Sequence, residues 1–291
     1  MNNRPLPSFA IIGAAKCGTT SLYDWLATHP SIFMSEIKEP EFFLSDWPGP
    51  TVVSTEENYR RLFKKAKPHQ LCGEATARYL FSHTAVPLLL KANPQAKLIA
   101  MFRNPVEMAP SSHTQRLWNQ IETTKDFPTA WRESASRHPW YSYRSLCLLG
   151  EQLDRLLKIV DRKQLHTIVL DDMRSNPQLV YERVLEFLEV ESDNRTEFPV
   201  SNPRKVRRLD MIDRVIRHPP IILKSLKRAM LSSMLLESKR LRRRLNFLMT
   251  KPAPRTPIPA ELRAEMAEFF APDVALLGRL LKRDLSHWVR T

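Results

Sequence analysis

The stretch "FAIIGAAKCGTTSLYDWLATHP", Phe9 to Pro30, decides the fold. "FAIIGA" is a short, continuous apolar run, the pattern of a strand buried on both faces. Leu22, Trp25 and Leu26 recur at helical spacing, and Pro30 ends that helix. Between strand and helix lies "GAAKCGTT", where Gly13 and Gly18 permit a tight turn and the close approach of an anion. Amides at the helix start face whatever lies above the sheet. Lys16, Cys17, Gly18, Thr19, Thr20 and Ser21 therefore form a candidate phosphate cradle. Each charge-assisted hydrogen bond there is worth ~1.5–3 kcal/mol. A nucleoside triphosphatase places its lysine directly after the second glycine, with a hydroxyl next for magnesium. Here Thr19 follows Gly18, and Lys16 stands two residues before it.

The same layout returns in "KLIAMFRNPVEMAPSSH": a buried strand, then Arg103, then Pro105 at the first position of a helix. Arg103 at the strand end and Ser111 two turns on form a second candidate phosphate site. In a parallel sheet both strand ends lie on one edge, where ligands bind. One ligand with phosphates at two positions can then be gripped from both. Pro110 lies inside the second helix, where it removes a backbone bond and is expected to kink or delay that helix.

Working outward, "SIFM" (Ser31–Met34) reads as a return strand and "LHTIVL" (Leu165–Leu170) as another buried one. Helical patterns fall near Val86–Ala92, Leu146–Val160 and Pro177–Leu188. Strands alternating with helices predict an α/β fold: a three-layer, P-loop-NTPase-like arrangement of a mainly parallel sheet flanked by helices, with C-terminal helical additions. The core is expected over residues 1–203 and a basic helical segment over 204–251. A proline-rich connector with a final helix packing on the core follows over 252–291.

The 291 residues carry a net charge of +14, but unevenly. Residues 204–251 hold 15 Lys or Arg against Asp210, Asp213 and Glu237. The basicity belongs to that segment, which argues against the whole protein being a nucleic-acid binder. The segment mixes apolar and cationic residues at roughly helical spacing, with only Phe247 as an aromatic. A solvated helix, a peripheral membrane contact or a surface for an anionic glycan are the readings it allows. No apolar run is long enough to span a bilayer, and the first residues lack a signal-peptide layout. Cys17, Cys72 and Cys147 show no CxxC pairing, so neither zinc nor a disulfide framework is indicated, and a cytoplasmic setting is expected.

The two anion motifs, in this order and on these elements, resemble those of sulfotransferases that use 3′-phosphoadenosine 5′-phosphosulfate (PAPS), most closely the bacterial and heparan-sulfate-type branch. The resemblance runs from about Phe9 to about Val190. It implies that Lys16, Gly18, Thr19, Thr20 and Ser21 hold the 5′-phosphosulfate and that Arg103 and Ser111 hold the 3′-phosphate. Met108 stands where the family commonly has arginine. The family's K-E-P-x-F-F segment carries a glutamate base, and Glu39 of "SEIKEPEFF" aligns with it. The chain path agrees, since the first helix leads down to Pro30 and "SIFM" returns Lys38–Glu39–Pro40 beside the loop. Glu36 and Glu41 are the neighbouring carboxylates, and many relatives have histidine where Glu41 stands. Lys38 is placed to steady the cofactor or balance those carboxylates.

"GEATARYLF" matches a family segment lining the acceptor side, which nominates Glu74, Arg78 and Tyr79, with a structural role for Tyr79 equally open. Lys205, Arg207 and Arg208 lie where relatives close a loop over the cofactor. His83 and His113 are lesser candidates for the base. The expected reaction is metal-free transfer of a sulfuryl group to a hydroxyl or amine of a carbohydrate or small metabolite, releasing 3′-phosphoadenosine 5′-phosphate (PAP). Two alternatives stand beside it: a magnesium–ATP kinase or triphosphatase with a deviant loop, and a non-catalytic binder of glycan, membrane or RNA acting through residues 204–251.

Overall fold

The computed structural model describes residues 6–200 and 257–290, together with the backbone of 205–207 and 250–252. The chain divides into a larger unit, Met1–Ser201 with Ile258–Thr291, and a smaller one, Asn202–Pro257. In the smaller unit the strand Lys205–Arg207 pairs antiparallel with Thr250–Pro252. Most of the basic segment, including Arg208, lies outside the described residues.

The larger unit is built on five parallel strands: β1 (Phe9–Gly13), β2 (Ile32–Met34), β3 (Leu71–Ala75), β4 (Lys97–Phe102) and β5 (Leu165–Val169), in the order β2-β3-β1-β4-β5. Every residue of β1 is buried, as its unbroken apolar run requires of a central strand. The strand order reverses between β1 and β4, so a crevice opens beyond their carboxyl ends. Helices α1 (Thr19–Leu26), α2 (Glu56–Arg61), α3 (Ala85–Ala92), α4 (Pro105–Trp118) and α5 (Phe127–Glu133) follow in chain order. Then come α6 (Tyr143–Leu146), α7 (Leu149–Leu157), α8 (Leu170–Ser175), α9 (Pro177–Leu188) and α10 (Ala260–Leu281).

All four expected strands, now β1, β2, β4 and β5, and the helix Pro177–Leu188 stand where the apolar pattern puts them. β3 has no such run, because Gly73 and Glu74 interrupt it. The first helix stops at Leu26, ahead of Pro30. Helix α4 corrects the expectation for Pro110: it begins at Pro105 and continues through Pro110 to Trp118. Pro110 is only the sixth helical residue, so its missing N–H takes one bond from the first turns. Asn104 caps α4 by accepting from the Val106 amide at 2.9 Å and donates its own amide to the Trp288 carbonyl at 3.0 Å.

Helix α10 packs against α7 and α4. The buried carboxylate of Asp273 on α10 caps α7, accepting from the Gly150 and Glu151 amides at 2.9 Å each. An added Cβ at Gly150 would meet the Asp273 carbonyl at 2.4 Å, so the two helices touch through backbone.

Candidate active site

The loop after β1 is shaped by backbone that only glycine adopts readily. Gly13 has φ 140° and Gly18 has φ 96°. A Cβ on Gly13 would lie 2.6 Å from the Ala77 carbonyl oxygen, and one on Gly18 would lie 2.9 Å from Leu170 Cδ1. Gly18 is the N-cap of α1 and provides no side chain to satisfy the first amides, so the helix start presents its N–H groups and positive dipole end. Thr20 and Lys16 are half-buried, while Thr19 and Ser21 are buried.

Lys16 reaches across to α4, where Nζ donates to Gln115 Oε1 at 2.8 Å. Arg103 follows β4 directly and is 7% exposed. Its Nη1 donates to the Lys16 carbonyl at 3.2 Å and its Nη2 to Glu107 Oε2 at 2.8 Å. Among the described residues, its Nε is buried without a hydrogen-bond partner. The two cations expected to share a ligand therefore meet at one sheet edge, on the strands flanking the crevice. Ser111, half-buried on α4, lies one helical turn from both Glu107 and Gln115, the residues that hold these cations.

Cys17 contributes to the loop differently from its neighbours. Its side chain is fully buried, with Sγ 3.9 Å from Met108 Sδ, and burial pushes the thiol up to about 12. Met108 thus packs against Cys17 of the loop. The Cys17 amide donates to the Ala14 carbonyl at 3.3 Å.

The acidic segment lies on the other side of β1. Ser35 continues the β2–β3 ladder by donating to the Gly73 carbonyl at 2.8 Å, and Glu39 donates its amide to Ala75 at 2.8 Å. Glu39 Oε2 accepts from the Ala77 amide at 2.8 Å, and Oε1 is in contact with the Lys38 ammonium. One residue thus joins the segment to the loop: the Ala77 amide holds Glu39 while the Ala77 carbonyl lies against Gly13. Glu39 and Glu41 both have φ 60°, a left-handed conformation costing non-glycine residues ~1–2 kcal/mol each. Hydrogen bonds between the segment and Ala75, Thr76 and Ala77 hold it there.

The other nominated residues divide by burial. Glu41 is buried and pairs with Arg78 Nη1 at 2.8 Å; burial raises its pKa against the pull of Arg78. Arg78 also lies 4.3 Å over the Trp47 ring. Glu74 and Tyr79 are completely buried. Their hydroxyl–carboxylate contact is internal, so an expected place among acceptor-binding groups gives way to a place behind the acidic segment. Glu36 pairs with Lys65 at 2.6 Å. His83 Nε2 lies 3.4 Å from Arg155 Nη1. His113 is buried, hydrogen-bonded to the Thr124 carbonyl at 2.8 Å, and burial lowers its pKa. The side chains of Lys205 and Arg207 and the whole of Arg208 lie outside the described residues.

Sequence reasoning missed Thr76, Ala77 and Gln115 as parts of this site. Thr76 and Ala77 follow a strand that carries no apolar run, and Gln115 is one polar residue among several on α4. Among the described residues, no group of three or more His, Cys, Asp or Glu could hold a metal ion. No described helix is long and apolar enough to cross a membrane.

Residues 6–208 match the family described as "Sulfotransferase domain". Human carbohydrate sulfotransferase 15 is 27% identical over 271 residues, covering 69% of this chain and 48% of that protein. Mouse heparan sulfate glucosamine 3-O-sulfotransferase 5 is 25% identical over 188 residues, covering 63% of this chain and 53% of that protein. The chain spans about half the length of these curated relatives. A crystal structure of a sulfotransferase from Alicyclobacillus acidocaldarius aligns with TM-score 0.73 and 27% identity, covering 98% of this chain and 100% of that one.

Proposed function

The chain belongs to the sulfotransferase family, and from that premise we propose that it transfers a sulfuryl group from PAPS to a hydroxyl or amine of a carbohydrate, releasing PAP. The observation that carries the reading is the meeting of Arg103 with the Lys16 loop at 3.2 Å, at the edge where β1 and β4 end. The unpartnered buried Nε of Arg103 and the uncapped start of α1 are the polar groups an anion with two phosphate positions would satisfy. Names of relatives that refer to carbohydrate and heparan sulfate support the acceptor class. Three buried free thiols favour a reducing, cytoplasmic setting.

The donor supplies an activated sulfuryl group; the chain supplies anchoring, charge and a proton acceptor. Arg103 and Ser111 anchor the 3′-phosphate. The α1 amides, the hydroxyls of Thr19, Thr20 and Ser21, and the Lys16 ammonium hold the 5′-side and oppose the negative charge that grows on the departing phosphate. For that task Lys16 exchanges Gln115 for the ligand. Glu39 takes the acceptor's proton at its carboxylate, oriented by the Ala77 amide, while Lys38 balances its charge. Glu41 and Arg78 flank the acceptor as a paired, largely neutral wall.

The test is PAP release from PAPS in the presence of a panel of amino-sugar oligosaccharides, with EDTA present throughout. Turnover that survives EDTA and vanishes in Arg103→Ala supports the reading. Turnover that needs magnesium, or the absence of any release across the panel, contradicts it.

A further inference from the structure

Glu74 is a charged side chain on β3 with no exposure to solvent, placed directly behind the segment that carries Glu39. Three hydroxyls donate to it: Tyr59 to Oε1 at 2.5 Å, Tyr79 to Oε1 at 3.2 Å and Thr76 to Oε2 at 2.8 Å. Two of these hydroxyls turn their lone pairs toward the acidic segment. Thr76 Oγ1 accepts from the Glu41 amide at 3.4 Å, and the Tyr79 hydroxyl accepts from the Phe43 amide at 3.3 Å. The third, Tyr59, lies under Phe42 with ring centroids 4.4 Å apart and edge-on to Phe43 at 5.3 Å.

A hydroxyl has one proton, so one that donates to Glu74 can only accept from the segment. The ionised carboxylate therefore sets the direction of every bond in the network. Protonation gives Glu74 a proton of its own to donate; the hydroxyl that takes it keeps a second lone pair for its amide but must send its own proton elsewhere. The groups facing Glu74 are Tyr59 from α2, and Tyr79 and Thr76 from the turn after β3, with the Glu39 charge nearby. We infer that Glu74 is a positioning residue: through Thr76 and Tyr79 it fixes the Glu41 and Phe43 amides, and so holds the left-handed segment that aims Glu39. This inference rests on the reading of Glu39 as the base. Burial pushes Glu74 up to about 7.

The test is amide hydrogen exchange on the full chain with PAP present, across pH 5.5 to 8.5, alongside PAP release from PAPS. In the wild type, the Glu41 and Phe43 amides are expected to be most protected at low pH, where the closed network holds the Glu74 proton, and to lose protection as pH rises through about 7. Glu74→Gln should exchange both roughly five- to tenfold faster, the loss of about one hydrogen bond, without that pH dependence. Should Glu74→Gln fold poorly, Thr76→Val and Tyr79→Phe are the alternatives. The first should expose only the Glu41 amide and the second only that of Phe43, each lowering turnover without changing stabilisation by PAP. Wild-type protection of both amides in these variants overturns the inference. Glu39→Gln serves as the separate control: protection unchanged with turnover lost is the expected result. If Glu39→Gln instead remains active, the base reading falls, and the catalytic meaning of Glu74 falls with it.

Discussion

The Arg103 guanidinium donates to the carbonyl of Lys16 at 3.2 Å, joining the ends of β4 and β1 across the crevice where the strand order reverses. The contact does two things at once. It fixes the left-handed Lys16 backbone, φ 67°, and it sets two cationic residues side by side. Such preorganisation removes part of the cost of assembling an anion site. Arg103→Ala should weaken PAP binding roughly 10- to 100-fold, the worth of one or two charge-assisted bonds. Calorimetric titration of PAP checks this, with circular dichroism confirming the fold.

The loop geometry predicts a distinct effect at Gly18. An alanine there must hold φ near 96° and push its Cβ to 2.9 Å from Leu170 Cδ1. Gly18→Ala should cost about 1–3 kcal/mol of stability and lower PAP affinity together. Urea unfolding and the PAP titration should report both losses in one variant, whereas a mere stability defect would leave affinity intact in the folded fraction.

Glu39→Gln separates chemistry from binding. The carboxylate accepts from Ala77 at 2.8 Å, and a glutamine oxygen can take that same bond, so the segment should stay in place. Loss of the proton acceptor should lower kcat about 10²- to 10⁴-fold. PAP affinity should remain within about twofold of wild type, because Glu39 contacts no element of the phosphate cradle.

The pH dependence of stability carries the signature of Glu74. Burial raises this carboxyl from 4.5 to about 7, so the folded chain holds its proton more tightly than the unfolded chain. Stability from this group is fully present below about pH 4.5 and is lost as pH rises through about 7. The loss is on the order of 3 kcal/mol. Urea midpoints measured from pH 5 to 8 should fall in the wild type and stay flatter in Glu74→Gln.

The fold and half of the site are legible in the sequence, for a physical reason. β1 and β4 are central strands whose both faces are covered, so their side chains must be apolar without interruption, and the glycines and cations that follow them stand out. β3 is also covered on both faces, yet it carries Glu74, whose carboxyl group is met by the hydroxyls of Tyr59, Thr76 and Tyr79. A lone glutamate between glycine and alanine does not announce whether it is buried, and its motif nominates it for the acceptor side. Pro110 misled in the opposite direction: near the start of α4, its missing N–H costs far less than it would deep in a helix. Met108 shows that a departure from the family can be a packing choice, since its sulfur closes the space beside Cys17.

The most direct measurement is the thermal shift of the full chain with PAP in EDTA, compared with ATP plus magnesium. The account predicts stabilisation by PAP without metal, sharply reduced in Arg103→Ala and retained in Glu39→Gln. Stabilisation by ATP with magnesium and none by PAP would contradict it.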